Sequence, residues 1–223
     1  MQYLLRGALA LALAWPSLAP AEVPEALAIG AEFPDFSLPD TTGQMHNLAQ
    51  YKDKIVVFNF STPECPCSRS VDASLAELAA AYADRDVVFL GVNSNFFMDS
   101  ESLRDYAKMA KIAYPILKDD DVELADATGA RVTPEVFVKD AKGKVVFHGP
   151  PDNRPNPAGT PTVFYLKDAL EALTSGKLVE HANITPWGCT IRGAETGTAD
   201  PVHKDKQPDR AAKPCPSLPR VAL

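Results

Sequence analysis

The apolar run Ile55-Val56-Val57-Phe58-Asn59-Phe60, followed after a short polar loop by Cys65-Pro66-Cys67-Ser68, constrains this chain more than any other feature. A run of that length and near-continuous hydrophobicity reads as a strand covered on both faces. Beyond the cysteines, Val71, Leu75, Leu78 and Tyr82 recur at spacings of four, three and four, the stripe of an amphipathic helix over 70–82. Strand, loop and helix therefore meet at Cys65. That junction presents either a reactive thiol or a soft-metal ligand, so the expected chemistry is that of sulfur.

The rest of the chain supplies the layers around this junction. Phe33 to Gln44 reads as a short extended segment and a turn, since Pro34 and Pro39 oppose helix and Gly43 suits a turn. Residues 87–92 form a second buried strand. Asp99, Ser100 and Glu101 open a helix that carries Leu103, Tyr106, Ala107 and Ala110 on one face. A short helix over 122–127 ends at Gly129. Segments 135–139 and 144–148 flank Asp140-Ala141-Lys142-Gly143 and read as an antiparallel hairpin. The proline-rich stretch 149–161 is a stiff loop. A helix follows over 162–174, with Val163, Leu166, Leu170 and Leu173 on one side. From Arg192 to Leu223 the chain is polar, proline-bearing and aperiodic, the pattern of a disordered tail. Asp119-Asp120-Asp121 lacks calcium-loop spacing and reads as a solvated turn.

Residues 1–21 have the pattern of an export signal: Arg6, an apolar stretch from Gly7 to Trp15, then Ala19-Pro20-Ala21 before Glu22. The apolar stretch is too short to span a bilayer, so no membrane span is expected after cleavage. Cleavage would remove Arg6 alone among the charges and leave the chain one unit more acidic than its formal −7. An acidic chain of this kind does not favour nucleic acid or an anionic membrane. With 46% hydrophobic residues and no second hydrophobic block, one domain over 22–191 is the simplest organisation. An exported chain works in the periplasm or outside the cell, where disulfides persist. Its cysteines, Cys65, Cys67, Cys189 and Cys215, allow three fully paired connectivities.

If Pro66 takes the first helical position, Cys65 becomes the N-cap. A thiolate there faces unpaired backbone N–H groups and the positive end of the helix dipole, which lowers its pKa. Arg69, in the first turn, would add to this. Cys67 follows two residues later, and positions i and i+2 of a helix do not face each other, so a Cys65–Cys67 disulfide would be distorted. Cys189 is the better resolving cysteine, because the segment after the last helix has enough chain to return to the active face. The alternative for Cys189 is a structural staple.

The order strand, helix, strand, helix, hairpin, helix is that of a thioredoxin fold. Phe33 to Gly43 followed by Val56 to Phe60 resembles the N-terminal extension and first core strand of the AhpC/TSA redoxin family, and Thr133-Pro134-Glu135-Val136-Phe137-Val138 resembles its threonine-proline loop. A closer likeness is to exported redoxin-domain proteins with a Thr-x-x-Cys-Pro loop, here Thr62 to Pro66, and a late Gly-Cys-x-Ile element, here Gly188 to Ile191. The resemblance implies an α/β thioredoxin-like fold, with a central mixed sheet flanked by helices and an N-terminal extension. It also implies a cis bond before Pro134 beside the reactive cysteine. Aligned on Asn59-Phe60, Cys65 stands where thioredoxin-like oxidoreductases have their attacking cysteine, and Ser68 replaces the resolving one.

Three activities use these residues differently. A thiol–disulfide oxidoreductase acting on protein thiols or disulfides would need Cys65 as nucleophile, Cys189 as resolving partner and Pro134 to shape the site, with no cofactor. A thiol peroxidase, by resemblance to peroxiredoxins, would use Thr62, three residues before Cys65, and Arg131 to bind peroxide. The family's proline four residues before that threonine is Phe58 here. A copper(I) protein, similar to Sco-type chaperones, would use Cys65 and Cys67 with His148 as the best histidine, since copper(I) prefers sulfur. The first is the reading adopted.

Overall fold

A computed structural model of the chain describes residues 25–191, apart from Phe96 and Pro155. The expected export signal over 1–21 and the tail over 192–223, with Cys215, lie outside the described residues. In chain order the elements are β1 (Ser37–Pro39), β2 (Met45–Asn47), β3 (Ile55–Phe60), α1 (Pro66–Tyr82), β4 (Val87–Asn93), α2 (Ser100–Ala110), β5 (Ile116–Lys118), α3 (Glu123–Thr128), β6 (Val132–Thr133), β7 (Glu135–Lys139), β8 (Val145–Gly149), α4 (Tyr165–Thr174) and β9 (Cys189–Thr190).

The main sheet runs in the order β5-β4-β3-β7-β8. β3 is central, parallel to β4 and antiparallel to β7, so the sheet is mixed. Alternation along β3 explains its apolar run. Val56, Phe58 and Phe60 enter one core with Phe33, Phe36, Leu124 and Phe137, whereas Val57 enters a second with Val71, Leu75, Leu166 and Leu170. The N-terminal extension closes the first face: Phe33 stacks on Phe58 at 4.1 Å and Phe36 meets it edge-on at 5.6 Å. Helices α1 and α4 cover the second. A strand buried this way releases the chain at its carboxyl end, where Cys65 begins α1.

Two expectations change in the structure. Helix α4 starts at Tyr165 rather than residue 162, because the Asn153 side chain holds the N–H groups of Thr162 and Val163 at 2.8 and 2.9 Å. Asp119 is fully buried rather than solvated. Its carboxylate accepts from the N–H groups of Leu124 and Ala125 and from the Ser94 hydroxyl, anchoring α3, while Asp120 pairs with Lys118. His148 is also buried. Gly129 does end α3, in the left-handed region at φ +73°, where a Cβ would stand 2.3 Å from the Glu25 carbonyl oxygen. Among the described residues no helix is long and apolar enough to cross a membrane.

Candidate active site

Pro66 opens α1 and Cys65 is its N-cap, with extended backbone at φ −85°, ψ 115° and no side-chain cap bond. The Cys65 sulfur therefore sits at the mouth of the helix. The loop before it is tied by backbone: Cys65 N–H donates to the Thr62 carbonyl at 3.1 Å, and Thr62 N–H to the Ser68 hydroxyl at 3.4 Å. The Arg69 guanidinium donates to the Pro63 carbonyl at 2.6 Å, bracing the same loop. Across from it, the Thr133-Pro134 bond is cis, as the resemblance implied, and Sγ of Cys65 lies 3.0 Å from the Thr133 carbonyl oxygen.

Cys189 arrives by strand pairing. β9 runs antiparallel to β6 and puts Cys189 opposite Thr133, and the Ile191 N–H donates to the Arg131 carbonyl at 3.0 Å. The Sγ atoms of Cys65, Cys67 and Cys189 all lie within 4.8 Å of one another. Cys65 and Cys67 are buried and Cys189 is partly exposed. Cys65 and Cys189 carry thiols, whereas Cys67 is disulfide-bonded.

The Cys65 thiol is pulled from its usual value of 9.0 down to about 5. Hydrogen bonding from the Cys189 side chain is the largest cause, opposed by burial and then aided by the Thr133 side chain and the N–H groups of Ser68 and Cys189. At neutral pH Cys65 is thus a thiolate. The sequence anticipated the helix mouth but assigned the extra help to Arg69; the help comes from Cys189.

The remaining candidates fall elsewhere. Thr62 is buried beside the cysteine loop and contributes through its backbone. Arg131 donates its guanidinium to Asp126 at 3.0 Å and to the Ala130 carbonyl at 2.9 Å, away from the sulfur cluster. His148 lies outside the sulfur cluster, where the third group within 4.8 Å of the Cys65 and Cys67 sulfurs is Cys189. Both His148 ring nitrogens are engaged, Nε2 with Glu135 at 2.7 Å and Nδ1 with Asn183 at 2.9 Å. Glu135 uses its other oxygen to accept the N–H groups of Arg131 and Val132 at 2.8 and 3.0 Å. This buried carboxylate holds the loop that carries Thr133 and Pro134.

Sequence reasoning missed this role for Glu135, and also Asp152, Arg154 and Asp72. Arg154 makes a bidentate pair with Asp152 (2.8 and 2.6 Å) and also donates to the Ser70 carbonyl in α1. The Trp187 indole donates to the Asp152 carbonyl at 3.5 Å, tying the proline loop to the segment before Cys189. Charges among prolines, in Asp152-Asn153-Arg154, were the available signal.

Asp72 stands two helical turns beyond Cys65, is 3% exposed, and accepts a hydrogen bond from the Tyr106 hydroxyl of α2. Burial lifts its carboxyl from 3.8 to about 6, with the Cys65 charge adding to the rise and the Tyr106 bond opposing it. A carboxyl raised on folding favours the fold below its unfolded pKa, and that stability is lost as pH rises through the folded value. The window is therefore about pH 4 to 6, and the loss is about 3 kcal/mol. Asp72→Asn is expected to remove this loss, unfolding at higher denaturant than the wild type at pH 7 and close to it at pH 4. Parallel pH profiles for the two proteins would contradict this.

Residues 29–148 match the AhpC/TSA family, over half of the chain. The chain is similar to the thiol-disulfide oxidoreductase ResA of Geobacillus thermodenitrificans, 32% identical over 121 residues that cover 54% of this chain and 68% of that protein. A solved structure of a hypothetical protein from Sinorhizobium meliloti is 30% identical with a TM-score of 0.71, covering 76% of this chain and 97% of that one. An uncharacterized conserved protein from Geobacillus kaustophilus is 29% identical with a TM-score of 0.69, covering 81% and 97%. Sheet order, the cis-proline loop opposite a helix-capping cysteine, and the span of the family match agree: the chain belongs to the AhpC/TSA family, with a thioredoxin-like fold.

Proposed function

We propose that the protein is an exported thiol–disulfide oxidoreductase acting on protein thiols and disulfides in the periplasm or outside the cell. One observation carries the reaction: Cys65 caps the N-terminus of α1 with its Sγ within 4.8 Å of the Cys189 sulfur, whose hydrogen bonding pulls the Cys65 thiol down to about 5. The thiolate attacks one sulfur of a substrate disulfide, forming a mixed disulfide and releasing the other substrate sulfur as thiolate. Cys189 then attacks Cys65, releasing the second substrate sulfur and leaving a Cys65–Cys189 disulfide. The reverse sequence oxidises a substrate dithiol. A depressed pKa also makes Cys65 a good leaving group, which favours passing its disulfide on. Similarity to ResA supports the reaction class, and the pattern of Arg6, the apolar stretch from Gly7 to Trp15 and Ala19-Pro20-Ala21 supports export.

The test uses Cys189→Ser, which retains the nucleophile and removes the resolving sulfur. Offered a peptide disulfide at pH 7, it is expected to accumulate a mixed disulfide on Cys65, detected by intact mass and peptide mapping. The wild type should instead turn over. No adduct in the variant together with no turnover in the wild type would overturn the reading.

The sulfur cluster favours one second reading. Three sulfurs within 4.8 Å of one another suit a single soft ion such as copper(I) when Cys67 is reduced. Cys65, Cys67 and Cys189 would hold it. Anaerobic titration of the fully reduced protein against a copper(I) chelator would then retain one equivalent in the wild type and lose it in Cys67→Ser. Equal retention by both proteins would sink the three-sulfur site.

A further inference from the structure

Cys189 can resolve a mixed disulfide on Cys65 only if the segment that carries it is brought back from the end of α4 at Thr174. The return is anchored well before the cysteine. His148, near the end of β8, donates its backbone N–H to the Ala182 carbonyl at 2.8 Å and accepts from the Ile184 N–H at 2.9 Å, so residues 182–184 lie alongside the strand as a short parallel bridge. Gly149 permits the approach, since a Cβ there would stand 2.9 Å from the Ile184 carbonyl oxygen. The His148 side chain then links both ends of the path. Its ring is buried and stacks on Phe137 at 4.5 Å, which fixes its plane. Nδ1 meets the Asn183 amide oxygen at 2.9 Å, at the root of the returning segment, and Nε2 meets Oε1 of Glu135 at 2.7 Å. The other Glu135 oxygen accepts the Arg131 and Val132 N–H groups, while the Arg131 carbonyl accepts from Ile191, beyond Cys189. One imidazole is thereby tied to the root of the segment, to the strand it lands on and, through that strand, to its far end. A shift of the buried ring would break hydrogen bonds on both sides.

We propose that His148 is a positioning residue for the resolving step, with Asn183 as its contact on the returning segment. With Glu135 they set how closely Cys189 is presented to a mixed disulfide on Cys65. This deepens the oxidoreductase reading and rests on it. Resolution is an intramolecular attack: the Cys189 sulfur forms a bond to Sγ of Cys65, and the substrate sulfur leaves with the electron pair. Its rate follows the effective concentration of the attacking sulfur, which falls steeply with a misplacement on the order of 1 Å. A slack chain of the same length could still reach Cys65, but it would sample many approaches instead of one.

Three full-length variants separate the contacts. An asparagine amide can take the place of Nδ1 and a glutamine amide that of Nε2, so His148→Asn keeps the reach to Asn183 and gives up Glu135, whereas His148→Gln does the reverse. Asn183→Ala, at an exposed position, opens the contact to the returning segment without altering the core. Each protein is reacted with a peptide disulfide at pH 7, and acid-quenched samples are mapped by mass for the mixed disulfide on Cys65 and for the Cys65–Cys189 bond. The same bond is equilibrated in glutathione redox buffers, where its equilibrium constant reads the effective concentration of the pair. The first-order resolution constant and that equilibrium constant are both expected to fall, about tenfold in the His148 variants and about threefold in Asn183→Ala. A residue that only stabilises the fold would lower the denaturation midpoint and leave both constants of the folded protein unchanged. Asn183→Ala keeps the test decisive should the buried variants misfold, with circular dichroism as the check. Wild-type constants in folded Asn183→Ala would overturn the positioning role while leaving the oxidoreductase reading standing. A wild type that forms neither a mixed disulfide on Cys65 nor a Cys65–Cys189 bond would remove both.

Discussion

Cys65→Ser is expected to lower disulfide exchange at pH 7 by roughly 10⁴-fold or more, the scale on which loss of a nucleophile costs an enzyme. The hydroxyl keeps the shape of the helix mouth but is not ionised at neutral pH and forms no mixed disulfide. The same substitution has a thermodynamic signature that separates a reactive cysteine from one that only packs. The folded-state pKa of Cys65 is about 5, below its ordinary 9.0. A depressed pKa stabilises the fold above the unfolded value, and that stability is lost as pH falls through the folded value, here between pH 9 and about 5. At pH 7 the contribution is at most about 3 kcal/mol. Denaturant unfolding of the reduced wild type should therefore show stability rising with pH from about 5 toward 9, and Cys65→Ser should lack that rise. Thiolate absorbance near 240 nm should give a midpoint near pH 5 in the wild type. Retained exchange activity in the serine variant, or a midpoint near pH 9 in the wild type, would contradict the assignment.

The parts of this site legible in the sequence are those set by local chemistry. Apolar continuity marked β3, proline at the first helical position marked the Cys65 cap, and Gly129 marked the end of α3; all three are effects of nearest neighbours along the chain. What escaped was set by long-range pairing. β6 and β9 are two residues each, too short for any periodicity, yet their pairing is what brings Cys189 to Cys65. The sequence could nominate Cys189 only because enough chain separates it from α4. The surroundings of His148 were hidden for a related reason. They depend on the segment around Asn183 lying alongside the strand end, with Ile184 N–H donating to the His148 carbonyl at 2.9 Å. Asp119 was misread because a run of three aspartates suggests water, whereas the first of them turns inward to satisfy the bare N-terminus of α3.

Gly188→Ala is expected to separate the Cys65 and Cys189 sulfurs while leaving both cysteines in the chain. A Cβ at Gly188 would stand 2.0 Å from the Thr133 carbonyl oxygen, 2.6 Å from its carbon and 3.2 Å from the Pro134 nitrogen. These are backbone atoms of the loop held by Glu135, so no side-chain rotation relieves the overlap. The residue also has φ +157°, a conformation that glycine reaches more easily than alanine. β9 must therefore leave β6, and Cys189 moves away from Cys65. Because hydrogen bonding from Cys189 is the largest cause of the low Cys65 pKa, the thiolate midpoint should rise from about 5 toward the ordinary thiol value. Exchange at pH 7 should fall with the thiolate fraction, and the Cys189-dependent release of mixed disulfide should fall further, since the resolving sulfur is displaced. Gly176→Ala is the control for a generic glycine effect: its φ is also positive, at +68°, but an added Cβ meets nothing within 4 Å. An unchanged thiolate midpoint in Gly188→Ala would mean that the Cys65 charge is stabilised by the helix mouth alone, and that Cys189 is a staple rather than a partner. A raised midpoint in Gly188→Ala, with Gly176→Ala unchanged, would tie the reactivity of Cys65 to one close approach between two strands of two residues each.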